Sequence, residues 1–160
     1  MEEKMKAAII YYSLDGNTDF AAKKIAEKTG ADVLRIDALE KYPTDKKKYM
    51  KGGMHATFGI KPKIENYAFD IGKYDTIIIG TPVWAGKMAP PIKTFLSDND
   101  ISGKKIAYFA CSAGGNSAKC LESLKKFGEP VAVMSLIDPL NKKKASDDAE
   151  IDEFCKRLSC

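Results

Sequence analysis

The sequence predicts a three-layer α/β domain, a doubly wound parallel sheet with helices on both faces. Three observations carry this. Short apolar runs such as KAAIIYY at 6–12 and DTIIIG at 75–80 lack the polar alternation of a half-exposed strand, as strands buried on both faces do. Segments of helical period separate these runs, which is the β-α-β rhythm of a parallel sheet. Crossovers between parallel strands are right-handed, and this wraps the helices around both sides.

The elements follow in order. Residues 6–12 form the first strand. Over 17–29 the period changes: Ala21, Ile25 and Ala26 share one face, while Lys23, Lys24, Glu27 and Lys28 take the other. Gly30 stops that helix. ADVLRID at 31–37 alternates as a second strand. Thr44 is placed to cap a short helix through Lys51, ended by Gly52-Gly53; the rest of 38–70 reads as irregular, a candidate flap over a site. The third strand is 75–80. Pro90 and Pro91 open a helix to about Leu96. KKIAYFA at 104–110 is the fourth strand, 115–127 a helix with Ala118, Leu121, Leu124 and Phe127 on one face, and PVAVMSL at 130–136 the fifth strand. A last amphipathic helix spans 146–158, with Ile151, Phe154, Cys155 and Leu158 on its apolar side.

The chain has 160 residues, 44% of them hydrophobic and 30% charged, the composition of one globular domain, 1–160. No apolar run approaches the roughly 20 residues that span a bilayer. Met1-Glu2-Glu3-Lys4 lacks a basic-then-apolar leader, so no membrane association and a cytoplasmic location are expected. The formal charge is +4, with lysine runs at 46–48 and 142–144; no aromatic-basic stripe accompanies them, and nucleic acid is not the expected partner. Cys111, Cys120, Cys155 and Cys160 form no C-x-x-C pair, and His55 is the only histidine, so no metal site and free thiols are expected.

In a doubly wound sheet the ligand sits beyond the carboxyl ends of the strands. Three loops lie there. Ser13-Leu14-Asp15-Gly16-Asn17-Thr18 leads into a helix N-terminus, where unpaired amides carry partial positive charge. Ser13, Asn17 and Thr18 add side-chain donors and Gly16 allows close approach to an anion; the other reading is a tight turn with Asp15 or Ser13 as cap. No G-x-x-x-x-G-K-[ST] loop occurs. The second loop, TPVWAGKMAPP, holds the single tryptophan, Trp84, placed either as core packing or to stack on a flat ring. Gly86 can flip its peptide at little steric cost and so make a hydrogen bond that depends on a ligand's redox state. The third loop, CSAGGNS, contains Gly114 and Gly115, which permit close backbone approach. A C-x5-R phosphatase loop is excluded, because Ser117 stands where the arginine belongs; Cys111 reads as packing or pocket lining rather than a nucleophile.

YYSLDGNT, TPVWAGKMAPP and CSAGGNS, in that order and spacing, resemble the three flavin-mononucleotide loops of the flavodoxin-like family, over nearly the whole chain. The resemblance implies a five-stranded parallel sheet of order 2-1-3-4-5 and FMN as cofactor. Ser13 to Thr18 (Ser13, Leu14, Asp15, Gly16, Asn17, Thr18) would hold its phosphate. Thr81, Pro82, Val83, Trp84, Ala85 and Gly86 would line the ribityl chain and one ring face, and Cys111, Ser112, Gly114 and Gly115 would border the pyrimidine side. Three departures stand out: Asp15 where flavodoxins usually have Ser or Thr, no second stacking aromatic in CSAGGNS, and a net positive charge where electron-carrier flavodoxins are acidic.

The expected function is electron transfer through bound flavin, with no side chain required as acid or base. The partner would be a redox protein or a small-molecule acceptor, and the chain a monomer or homodimer. The alternative is an FMN-dependent NAD(P)H:quinone-type reductase, with Tyr49, Met54, His55 and Phe58 of the 38–70 segment facing the pocket. A flavin-free receiver-like module fits poorly, because Thr81-Pro82 stands where an acceptor Asp is needed.

Overall fold

A computed structural model describes residues 6–44, 47–142 and 144–159; of 47–49 it describes the backbone alone. The lysine run at 46–48, the side chain of Tyr49 and Cys160 therefore lie outside the described side chains.

The first strand, β1 (Ala7–Tyr11), is buried along its whole length, as its unbroken apolar run predicts. α1 (Asn17–Thr29) turns Ala21, Ala22 and Ile25 inward, and Gly30 closes it in the left-handed conformation by donating to the Ala26 carbonyl. β2 is Asp32–Arg35 and α2 is Lys47–Thr57. β3 (Thr76–Trp84) turns back as the two-residue β4 (Lys87–Met88), and Pro90 opens α3 (Pro90–Asp98). β5 (Lys105–Ser112), α4 (Ala118–Leu124), a 3-10 turn at Lys125–Phe127, β6 (Ala132–Ile137) and α5 (Ala145–Leu158) complete the chain.

The parallel strands run in the order β2-β1-β3-β5-β6, with β4 pairing antiparallel to β3. Leaving β4 aside, this is the 2-1-3-4-5 order expected. Each face of the sheet has its own core. Ile9, Ile78 and Phe109 pack under α1 and α5 with Ile25, Ile151 and Phe154. Ile10, Ile77, Ile79 and Tyr108 pack under α3 and α4 with Ile92, Phe95 and Leu124. Each such side chain, fully buried, contributes on the order of 1.5–3 kcal/mol.

Three expectations need correction. The helix expected from Thr44 to Lys51 runs instead through Gly52 and Gly53 to Thr57, because Gly52 lets it settle on a ring described below. The third strand does not stop at residue 80 but continues through Thr81-Pro82-Val83-Trp84, since Thr81 and Pro82 still register with Ala110 and Cys111 of β5. The helix expected over 115–127 starts at Ala118 and ends in the 3-10 turn; 113–116 remain exposed loop.

Candidate functional site

At the carboxyl end of β1 the first loop folds onto itself. Gly16 adopts φ 100°, and a Cβ there would stand 2.9 Å from Leu140 Cδ2. The left-handed conformation therefore favours glycine, while the exposed Leu140 side chain could shift to make room. The Gly16 amide donates to Ser13 Oγ at 3.2 Å, and the Asn17 amide donates to Asp15 Oδ1 at 3.2 Å. Asp15, one of the two candidate caps, accepts from the first amide of α1 while the residue stays exposed. The carboxylate occupies an amide that an anion would otherwise use.

Asn17 was expected to offer its side chain to an anion. Its Nδ2 donates instead to Asp138 Oδ1 at 3.0 Å, and its Oδ1 accepts from the Leu140 amide at 2.9 Å. A fourth loop, after β6, is thus clamped to the first. Asp138 sits at φ 42°, and its amide donates to the Ser112 carbonyl at 2.9 Å, which ties the same loop to β5. Asp138-Pro139-Leu140-Asn141 is not among the loops expected at the site. Its signal was the Asp-Pro turn pair directly after a strand.

Thr18 differs from its neighbours. It is 0% exposed, and its hydroxyl has no hydrogen-bond partner among the described residues. The buried Cys111 thiol lies close by. Burial pushes that thiol up to about 12, against a smaller downward pull from the Thr18 hydroxyl, and Asp15 and Asp147 add to the rise. Cys111 is therefore a neutral packing group and no nucleophile.

On the β2 side, Arg35 Nη2 donates to the Ser13 carbonyl at 2.6 Å, and Arg35 pairs with Asp37 at 3.1 Å and Asp19 at 3.7 Å. Tyr11 donates a short hydrogen bond to Asp19. Burial, then Asp19, pushes Tyr11 up to about 12. Burial also raises Asp19, but the bonds from Tyr11 and Lys23 and the charges of Lys23 and Arg35 outweigh it and hold this carboxyl low. Arg35 is not among the site residues expected from the sequence. Between this cluster and the β2–α2 connection lies a cavity of about 360 Å³, bordered by Tyr12, Leu14, Arg35, Lys41 and Tyr42.

At the end of β3 the candidate lining residues divide. Thr81 and Pro82 are buried; Thr81 Oγ1 accepts from the Ala89 amide at 2.8 Å and donates to the Pro82 carbonyl at 2.8 Å, so it is fully engaged. Val83 and Trp84 are half-buried and Ala85 is exposed. Ala85 and Gly86 have φ 52° and 74°, the paired left-handed conformations of a tight hairpin turn. Trp84 meets Tyr12 edge-on at 5.6 Å and Tyr42 at 5.1 Å between ring centroids. α2 lies over it, with Gly52 facing the indole. Tyr42 Oη and His55 Nδ1 are hydrogen-bonded at 2.8 Å. Met54 in α2 and Phe58 in the turn after it, both expected to face a pocket, are 53% and 72% exposed.

The third loop follows β5. Cys111 and Ser112 are buried strand residues, and Ser112 Oγ accepts from the Gly115 amide at 2.9 Å. Gly114 and Gly115 are exposed. Ser117, at the start of α4, is a second buried hydroxyl without a partner among the described residues. The three loops converge: Pro82 pairs in register with Cys111, the Tyr12 amide donates to the Gly80 carbonyl, and Asp15 and Thr18 act on the Cys111 thiol.

Residues 6–151 match the flavodoxin family model. The chain belongs to the flavodoxin family. Among solved structures, this flavodoxin-family chain is similar to a flavoprotein from Lactobacillus acidophilus NCFM in complex with FMN, at 27% identity and TM-score 0.75, over 94% of this chain and 98% of that one. The apo form of the flavoprotein from the same organism matches at 26% identity and TM-score 0.62, over 88% and 98%. Oxidised flavodoxin 2 from Bacillus cereus, at 19% identity and TM-score 0.61 over 96% and 97%, shares the fold.

Proposed function

We propose that this flavodoxin-family chain, as one domain of residues 1–160, binds FMN at the three loops and serves in electron transfer. The observation that carries the proposal is the Thr18 hydroxyl at the N-terminus of a 13-residue helix, fully buried with no nitrogen or oxygen partner among the described residues and only the weakly accepting Cys111 thiol acting on it. Buried hydroxyls without partners cost on the order of 1–3 kcal/mol, and an anion at the helix end relieves that cost. The donor set suits a phosphate: backbone amides of 13–18, the Thr18 hydroxyl, and helix polarity, with the Arg35 guanidinium behind the Ser13 carbonyl. The FMN complex of the Lactobacillus acidophilus flavoprotein supports the same cofactor.

When bound, the flavin supplies the one- and two-electron chemistry. The chain's own residues orient it. Ser13 to Thr18 hold the phosphate once the Asp15 carboxylate leaves the Asn17 amide. The part of Trp84 left open by α2 and the two tyrosines meets the ring, with Val83, Ala85 and Gly86 beside it. Thr81 and Pro82, buried in β3, act by holding that turn in place. Cys111, Ser112, Gly114 and Gly115 border the polar ring edge. We place the protein in the cytoplasm, as a monomer or homodimer, with a redox protein or small molecule as electron partner; no helix among the described residues is long and apolar enough to cross a membrane. The absorption spectrum of the purified protein tests the proposal, with flavin bands expected.

One observation favours a second reading, an FMN-dependent NAD(P)H:quinone-type reductase. Residues 113–116 are exposed and carry no aromatic side chain, which leaves room for a second flat substrate over the ring. Steady-state NAD(P)H oxidation with a quinone acceptor separates the two: turnover supports the reductase, and reduction by a protein donor alone supports the carrier.

A further inference from the structure

Among the described residues, the outer side of α2 is uncovered. Met50 and Met54, four residues apart, share one face of α2, and in the turn that follows the Phe58 amide donates to the Met54 carbonyl at 3.0 Å; the three side chains are 73%, 53% and 72% exposed. The inner side of the helix is already taken by Gly52 on Trp84 and by Ala56, which is 5% exposed. Contiguous exposed apolar side chains mark interaction surfaces, and methionine adapts to varied partners.

Charge gathers at one end of this stripe. Lys87 Nζ donates to the Thr57 carbonyl at 3.2 Å, and Lys93 Nζ lies 2.7 Å from where a Cβ of residue 59 would stand. Two ammonium groups therefore flank Phe58. Lys61 follows in the chain, and Lys126 approaches from the 3-10 turn after α4. Burial holds the Lys93 ammonium below its ordinary pKa, and repulsion from Lys126, Lys87 and Lys61 lowers it further. None of these four lysines has a carboxylate partner among the described residues, whereas Lys41, Lys51 and Lys125 pair with Glu65, Glu40 and Glu122 at 2.9, 3.0 and 2.9 Å. An apolar centre with an unneutralised basic rim is complementary to an acidic protein surface.

We propose that the apolar face formed by Met50 and Met54 of α2 and Phe58 of the turn that follows, with Lys61, Lys87, Lys93 and Lys126 at its end, docks an acidic electron-carrier protein. The inference rests on the FMN reading, since α2 lies directly over Trp84 and a carrier seated there would be close to the flavin. The lysines come from four separate segments and crowd one end of the helix.

The probe is a reduced [2Fe–2S] ferredoxin of strongly negative net charge. Each donor gives one electron, and two donors with two protons from water take one oxidised flavin to its fully reduced form. Stopped-flow absorbance follows the FMN-loaded chain at several salt concentrations. We expect the second-order rate constant to fall as salt rises, and K61E/K126E to lower it about tenfold or more at low salt. Phe58→Ser should also lower it, while reduction by dithionite stays unchanged in every variant. Unchanged ferredoxin rates in these variants, or a rate that rises with salt, would overturn the proposal. So would loss of binding to phosphatidylserine vesicles in the variants with the ferredoxin rate intact. Calorimetric titration of the flavin-free chain with oxidised ferredoxin runs in parallel: binding weakened by K61E/K126E supports the surface, and no binding contradicts it. Failure of the FMN reading is seen separately, as a chain that retains no flavin after loading and gel filtration.

Discussion

Gly52 lies against the Trp84 indole: a Cβ at residue 52 would stand 2.8 Å from both Cε3 and Cζ3 of the ring. Alanine normally stabilises a helix interior over glycine by about 1 kcal/mol, yet here it must push α2 off the ring. Gly53, one residue on, has only ordinary contact at 3.9 Å with Ala85 Cβ. Gly52→Ala should lower the melting temperature and red-shift the emission of the single tryptophan, while Gly53→Ala should raise the melting temperature. Calorimetry and fluorescence check both, and equal effects at the two positions would contradict the contact.

The Asp15 carboxylate holds the Asn17 amide, and a phosphate would need that amide. Two unit charges about 6 Å apart at an effective dielectric of 20 repel by roughly 3 kcal/mol. Donors to a charged acceptor return roughly 1.5–3 kcal/mol each, so binding survives the acid but is weakened by it. Asp15→Thr should raise FMN affinity by about tenfold or more, read by fluorescence titration. An unchanged affinity would remove the repulsion account.

Asn17 bridges the first and fourth loops through Asp138 and the Leu140 amide. Asn17→Ala should destabilise the fold by about 1–3 kcal/mol, because the Leu140 amide loses its partner and the Asp138 carboxylate keeps only the Asn141 side-chain amide. Asn17→Asp should cost more, since it sets a second carboxylate against Asp138. Urea unfolding of the two variants checks the order.

Stability should fall at alkaline pH. Burial raises Tyr11 and Tyr42 from 10.0 to about 12, and Cys111 and Cys120 from 9.0 to about 12. Each group keeps its proton longer folded than unfolded, so the unfolded chain binds fewer protons in this window and stability drops as pH rises. The contribution is complete below pH 9 and is lost between about pH 9 and 12. Thermal melts across that range should show the decline, and Cys111→Ala should make it shallower.

The basic surroundings also set a redox expectation. Lys87 lies in β4, and Lys119 Cδ is 3.7 Å from where a Gly86 Cβ would be, so both cations sit beside the turn proposed to meet the ring. Positive charge favours the anionic reduced form of a flavin. The hydroquinone couple should therefore be less negative than that of acidic flavodoxins, and Lys119→Glu should lower it in a redox titration.

The parallel core was legible because its signals are local. Ile9–Ile10 and Ile77–Ile79 sit in runs without alternation, and Gly30 ends α1 as its position predicts. The two longest departures have tertiary causes. Gly52-Gly53 reads as a helix stop by propensity, and only the contact with Trp84 makes glycine the residue that lets the helix pass. Pro82 reads as the start of a loop, but its pairing with β5 and the β3–β4 turn at Ala85-Gly86 keep it in the sheet. The first and third loops could be picked out by composition alone. The roles of Asn17, Arg35 and Asp138 could not, since each depends on a partner from a distant strand or loop.

The most direct test is a titration of the flavin-free protein with FMN, followed through the fluorescence of Trp84. Saturable quenching at one flavin per chain, weakened by Thr18→Val and strengthened by Asp15→Thr, is the result expected. Undiminished Trp84 fluorescence, with no flavin retained on gel filtration, would contradict the account.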